Sequence, residues 1–288
     1  MKVGVHTSIA GALVNAAHHA KEIGCDTFQM FSANPRGWQS QEPTPADCEA
    51  FKGIRAGHQL TPVVIHDNYL INLASADSII RSKSIAAFRR ELERAVALGA
   101  DYLVTHPGSA KGGSPTAAIA ICIESLLQAA AGMKLDGLTI LIENTAGQGT
   151  VIGRTFEEVA EIIAGAERDL PVGACIDTAH SFAAGYAIHT EDGLAATVKQ
   201  LDSTIGMKKV LVIHANDSKT PFESHVDRHD HIGEGLIGGQ AFARIVTHPK
   251  LKNIPFICET PVDEPGDDVR NLEMMRKLAG VPARGKRR

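Results

Sequence analysis

The sequence predicts an α/β fold, a single-domain (β/α)8 TIM barrel, and three observations point there. Eight short apolar runs rich in β-branched residues recur along 288 residues at intervals of a few tens of residues. Segments of helical periodicity lie between them, and no Pro/Gly/Ser-rich linker breaks the series. Eight alternating strand and helix units are the number that closes a parallel barrel.

The runs, in order, are VGVHTS from Val3, TFQMFS from Thr27, PVVIHD from Pro62 and YLVTHPG from Tyr102, followed by LTILIENT from Leu138, VGACIDTAH from Val172, VLVIHANDS from Val210 and PFICETP from Pro255. Each is brief and reads largely apolar until its last residues, as expected of a strand buried on both faces of a parallel sheet. Between the first two, ALVNAAHHAKEIG (12–24) carries its apolar residues at helical spacing, as do SIIRSKSIAAFRRELERAVALG (78–99) and AAIAICIESLLQAAAGM (117–133) further on. All three close at or beside glycine, the residue that most readily takes the left-handed turn ending a helix. No side-chain motif is copied from one unit to the next, so the period reflects βα units and not a homologous repeat. One barrel domain over 1–280 is expected, with a basic, disordered tail over 281–288 that ends in PARGKRR.

Composition removes several classes. With 44% hydrophobic and 22% charged residues the chain has average globular usage. The start, MKVGVHTSIAG, enters a strand pattern at once without a secretory signal, and runs such as VVIH stop far short of the roughly 20 residues that span a bilayer. Five cysteines, Cys25, Cys48, Cys122, Cys175 and Cys258, form no C-x-x-C pair. That odd, scattered set fits buried reduced thiols and a cytoplasmic protein. The Gly-rich stretches show no phosphate-cradling fingerprint, so no organic cofactor is expected. A net charge of -4 speaks against a protein that grips polyanions with side chains alone.

The chemistry lies where each run turns polar: His6, Ser32, His66, His106, Glu143, Asp177 with His180, His214 and Glu259. In a (β/α)8 barrel these positions share the C-terminal mouth. One histidine after a strand is ordinary, but a ring of imidazoles and carboxylates is not easily buried without cations. These are the ligand types of zinc, manganese and iron. A further segment, VDRHDHIGEG, adds Asp227, His229 and His231; in extended backbone all three point one way, so spacing leaves His229 and His231 as alternatives. Asp177 and His180, three apart at a strand-to-loop break, can face different ions, which implies more than one metal.

The motifs GVHTSIAGAL, HDNYLINLAS, THPGS, IENTAGQG, DTAHSFAAGY, HANDSK, DRHDHIGEG and ETP together resemble the endonuclease IV (deoxyribonuclease IV) family, zinc-dependent apurinic/apyrimidinic endonucleases of base excision repair. The resemblance implies three zinc ions, with manganese as an alternative occupant. It assigns His66, His106 and a bridging Glu143 to the first, Glu143, Asp177, His214 and Glu259 to the second, and His180, Asp227 and His229 to the third. Three divalent ions would bring the formal -4 to about +2 and concentrate positive charge at the mouth. The expected reaction cuts the phosphodiester 5′ to an abasic site in duplex DNA, leaving a 3′-hydroxyl and a 5′-deoxyribose phosphate, with room for a 3′-repair phosphodiesterase activity.

Glu143 and Glu259 are the catalytic candidates, the first holding the attacking water between ions and the second assisting as ligand and base. Arg36 in SANPRGW and Tyr69 in HDNYLINL match the family's DNA-inserting positions. A flipped nucleotide is easiest to extrude where no base stacks. The tail is by default a solvated end, with a DNA-contacting arm as its alternative. A monomer acting on abasic DNA is expected. The rival is a xylose isomerase-like metal-dependent sugar isomerase or epimerase, for which the set His180, Asp227 and His229 has no use.

Overall fold

The computed structural model describes residues 1–38 and 41–281, so the expected tail PARGKRR lies outside the described residues. Eight parallel strands close a barrel: β1 (Val3–Thr7), β2 (Phe28–Phe31), β3 (Val63–His66), β4 (Tyr102–Thr105), β5 (Thr139–Glu143), β6 (Val172–Asp177), β7 (Val210–His214) and, after a two-stranded insertion of β8 (Asp217–Ser218) and β9 (His229–Asp230), β10 (Phe256–Cys258). The ring closes through β1 and β10, where Val3 pairs with Phe256 and Val5 with Cys258. Every apolar run named from the sequence is a barrel strand.

The helices α1 (Leu13–Glu22), α2 (Pro45–Gly57), α3 (Ser78–Ala97), α4 (Pro115–Ala130), α5 (Phe156–Ala166), α6 (Thr178–Ala184), α7 (Glu191–Thr204), α8 (Gly239–Thr247) and α9 (Asp267–Leu278), with a 3-10 turn at Met207–Lys209, complete the described elements. Their starts follow capping chemistry: Thr44 and Asp47 form a reciprocal capping box on α2, and Asp77 and Ser114 cap α3 and α4. Gly99, after α3, has φ +64°, the left-handed stop that a side chain resists. None of the described helices is long and apolar enough to cross a membrane.

Strand alternation splits the core in two. Residues facing the helices join one large cluster, while Val64, Val104, Leu141, Cys175, Val212 and Ile257 form a separate plug inside the barrel. Two positions further along the same strands come His66, His106, Glu143, Asp177, His214 and Glu259, so the alternation that builds the plug also aims these groups inward above it. Gly4 on β1 lets the wall close: a Cβ there would lie 1.8 Å from the carbonyl oxygen of Thr27. All five cysteines are free and buried.

Candidate metal centre

Glu143, fully buried at the end of β5, is the hub of the mouth. Its Oε2 lies 3.2 Å from Nε2 of His66 and 2.9 Å from Nε2 of His106, while its Oε1 lies 3.0 Å from Nδ1 of His214. One carboxylate thus turns each oxygen to a different set of donors. His66, His106 and Glu143 offer donor atoms mutually within 4.8 Å, and so do Glu143, Asp177, His214 and Glu259.

The third set is built from a helix start and a loop. Asp177 ends β6 and caps α6, its Oδ1 accepting from the main-chain N–H of His180 at 2.7 Å, which fixes where that imidazole begins. Asp177, His180 and His229 are the trio whose donors converge within 4.8 Å. Asp227, which sequence resemblance put with His180 and His229, stands 3.2 Å from Nε2 of each. Asp177 therefore faces both the second and third sets. His231, the other candidate of equal parity, turns away, its Nδ1 3.0 Å from the Asn271 side-chain amide on α9.

Ser32 leaves the ring that its strand-end position suggested. Its hydroxyl donates to Glu91 on α3 and accepts from Arg94, a buried polar knot behind β2. The reason is parity: Ser32 follows Phe31, whose ring lies against His6, His66 and Tyr69 at the mouth, so the next side chain faces the helices.

Three groups beyond the sequence reading organise the ring. Asn216 donates to Asp177 Oδ2 at 2.6 Å and accepts from the Glu259 main-chain N–H at 2.7 Å. Asn144 accepts from the main-chain N–H of Asp177 at 2.7 Å. Gln29, buried in β2, touches His6, His214 and Glu259 at once. The one sequence signal for Gln29 was a lone polar residue inside the apolar run TFQMF.

The electrostatics show what the ring demands. Burial pulls the His66 imidazole down, but the hydrogen bond and charge of Glu143 outweigh it and lift it to about 9. Burial likewise opposes His229, yet Asp177 and Asp227 carry it to about 9. His180 and His214 are raised well above the ordinary imidazole range against their burial, by Asp177 and Asp227 for the first and by Cys175, Glu259 and Glu143 for the second. Glu143 and Glu259 are held well below the usual carboxylate range, since His214 and its neighbours overcome the burial that would raise them. The carboxylates thus require positive charge in a dry place, and protons on imidazoles are the substitute for it. The buried Nε2 of His229 makes no hydrogen bond although Asp227 Oδ1 is close by. Convergent lone pairs, buried carboxylates and an unpaired imidazole nitrogen fit divalent cations of the zinc type.

The ring opens into a cavity of about 380 Å³ lined by His6, His66, His106, Asp227, His229 and Glu259, with Phe31, Tyr69 and Val262 on its rim. Tyr69 is 63% exposed. Its main-chain N–H donates to Pro35 at 3.2 Å, and Asn68 donates to Gly37 at 2.5 Å, so the loop carrying the exposed Arg36 is docked on the loop carrying Tyr69.

A family model described as xylose isomerase-like TIM barrel matches residues 17–278. The chain is 51% identical to the probable endonuclease 4 of Solibacter usitatus over 99% of this chain and 100% of that protein. It is similar to the crystal structure of endonuclease IV from Thermus thermophilus at 38% identity and a TM-score of 0.86, covering 97% and 99% of the two chains. A D-tagatose 3-epimerase-like protein, at 21% identity with a TM-score of 0.70 over 97% of each chain, shares the fold alone.

Proposed function

The chain belongs to the endonuclease IV family of the xylose isomerase-like TIM barrels, and from that premise we propose that it is a metal-dependent AP endonuclease of DNA base excision repair. It hydrolyses the phosphodiester 5′ to an abasic nucleotide in duplex DNA and leaves a 3′-hydroxyl and a 5′-deoxyribose phosphate. The observation that carries this reading is Glu143, whose two oxygens each face a different donor set at 2.9–3.2 Å. A bridging carboxylate of that kind serves adjacent cations and a phosphoryl group between them.

Three zinc ions fit the donors: His66, His106 and Glu143 for one; Glu143, Asp177, His214 and Glu259 for the next; His180, Asp227 and His229 for the last, with Asp177 at hand. Bound there, the ions would acidify a water, hold phosphoryl oxygens and stabilise the departing 3′-oxyanion. Glu143, deep and dry, would orient the attacking water, and Glu259, reached from the cavity, would assist as ligand and base. Tyr69 on the rim, and Arg36 on the loop docked against it, enter the duplex and hold the extruded nucleotide over the cavity. A sugar isomerase reading leaves the donors beyond the first two sets without a task.

The test is a duplex with one abasic analogue that cannot undergo β-elimination. Zinc-loaded protein should cut 5′ to the lesion in a chelator-sensitive way and leave a 3′-hydroxyl. Protein carrying its zinc that leaves this duplex intact would overturn the proposal in favour of sugar chemistry.

A further inference from the structure

An imidazole can turn only one nitrogen to a cation, and the hydrogen bond made by the other decides which. His66, His180 and His229 each direct Nδ1 to a main-chain carbonyl, of Asp67, Asn144 and Glu259, at 3.0, 2.9 and 3.1 Å. A carbonyl oxygen only accepts, so Nδ1 carries the proton and Nε2 keeps its lone pair for the ring. His214 is reversed. Its Nδ1 faces Glu143 and Glu259 at 3.0 and 3.1 Å, and its Nε2 lies 2.8 Å from Oε1 of Gln29.

The Gln29 amide cannot be turned around in that position. Its nitrogen is 2.5 Å from Oε1 of Glu259 and 3.0 Å from Nδ1 of His6. A carboxylate demands a donor, which assigns the nitrogen to Glu259 and leaves the oxygen to accept from His214. The side chain is fully buried, and its three partners come from β1, β7 and the end of β10. One neutral amide on β2 therefore sets both the tautomer of His214 and the rotamer of Glu259, two members of the donor set that Glu143 also joins.

We infer that Gln29 is the positioning residue of the second donor set: it holds His214 with Nδ1 free for the cation and keeps Glu259 turned to the same point. The inference rests on the proposed metal reading. His66, His180 and His229 are tethered by the main chain and do not depend on any one side chain in this way.

Zinc binding followed by competition with a chromophoric chelator, together with long-range ¹H–¹⁵N correlation of the His214 ring on the loaded protein, tests this. Wild-type protein should show His214 with a protonated Nε2. Gln29→Met fills similar space but neither accepts nor donates; it should weaken one ion about 10- to 100-fold, leave the others unchanged and disturb the His214 nitrogens. Gln29→Glu keeps the acceptor and loses the donor, so it should retain the His214 tautomer while weakening the same ion through Glu259.

Unchanged zinc affinities and His214 shifts in Gln29→Met overturn the inference while leaving the metal reading intact. A wild-type protein that binds no zinc overturns the metal reading itself and this inference with it. Circular dichroism identifies a variant that fails to fold. If that is Gln29→Met, loss of the single His214 tautomer in Gln29→Glu is the overturning result.

Discussion

Stripped of metal, the protein should lose stability as pH rises from 6.5 to 8.5, and loading it with zinc should reverse the trend. In the folded chain the His66 and His229 imidazoles sit at about 9, against 6.5 ordinarily. A raised imidazole holds its proton in the folded state after the unfolded chain has released it. Its contribution is therefore whole below pH 6.5 and is lost as pH climbs through 9. One displacement of that size is worth on the order of 3 kcal/mol. Asp67, which burial pushes up to about 8, adds the same sign in this window. Glu143, Glu259 and Asp227 are held low, so their loss belongs to acid pH and does not enter.

His180 and His214, raised well above the ordinary range, carry the same sign, and the four imidazoles share one ring of charges and do not simply add. A net fall on the order of 3 kcal/mol corresponds to a Tm lower by roughly 6 °C for a chain of this length. Zinc inverts the slope because a ligating nitrogen must be deprotonated, so metal affinity and the stability drawn from it rise with pH. Scanning calorimetry of chelated and zinc-loaded protein across this range makes the comparison directly. A flat or rising Tm in the chelated protein would refute the charge assignment.

Glu143→Gln should retain binding to abasic duplex while turnover falls about 100-fold, as for loss of one group that stabilises a transition state; near wild-type turnover would remove Glu143 from the reaction. Tyr69→Ala should weaken abasic-DNA binding by roughly 1–3 kcal/mol, the worth of one stacking platform, with zinc content unchanged by elemental analysis. Arg36→Ala should likewise reduce DNA affinity more than metal content, and unaltered affinity would take Arg36 off the interface. Asp217→Ala strips the acceptor that receives the main-chain N–H groups of Gly233, Ile237 and Gly238, and should cost on the order of 3 kcal/mol in urea denaturation. Gly4→Ala drives a Cβ into the Thr27 carbonyl and should destabilise by about 3 kcal/mol or more; a stable alanine variant would mean that the strand wall yields there.

Most of the barrel was legible because parallel strands covered on both faces must be continuously apolar, and VVIH, YLVT and VLVIH are written that way. The ring at the mouth was legible for a related reason: His66, Glu143 and His214 interrupt those runs at their ends, where only a site makes use of them. Ser32 was misread because on β2 it is Gln29 and Phe31 that face inward, which turns Ser32 to the helices, and that phase is not marked in the sequence. The β8–β9 pair and the role of Asp217 stayed hidden, since two-residue strands carry no periodicity. The tethers on Asp67, Asn144 and Glu259 use carbonyl oxygens common to every residue, so no choice of side chain records them. Gln29 alone among the tethers leaves a letter in the sequence, and one polar letter in a strand names no partner.

The closure of the barrel by β1 with β10 bears on the order of events during synthesis. His66 emerges early and Glu259 near the end, and the wall between them is incomplete until Phe256 meets Val3. A chain made at roughly 5–20 residues per second spends most of its birth with the donors scattered on open, half-built sheet. The complete second donor set, which takes both Glu143 and Glu259, therefore exists only once that wall has closed. A cation held by that set would meet a finished shell, so its identity would be settled by what the surroundings offer to an already shaped pocket, not by what first meets a nascent histidine.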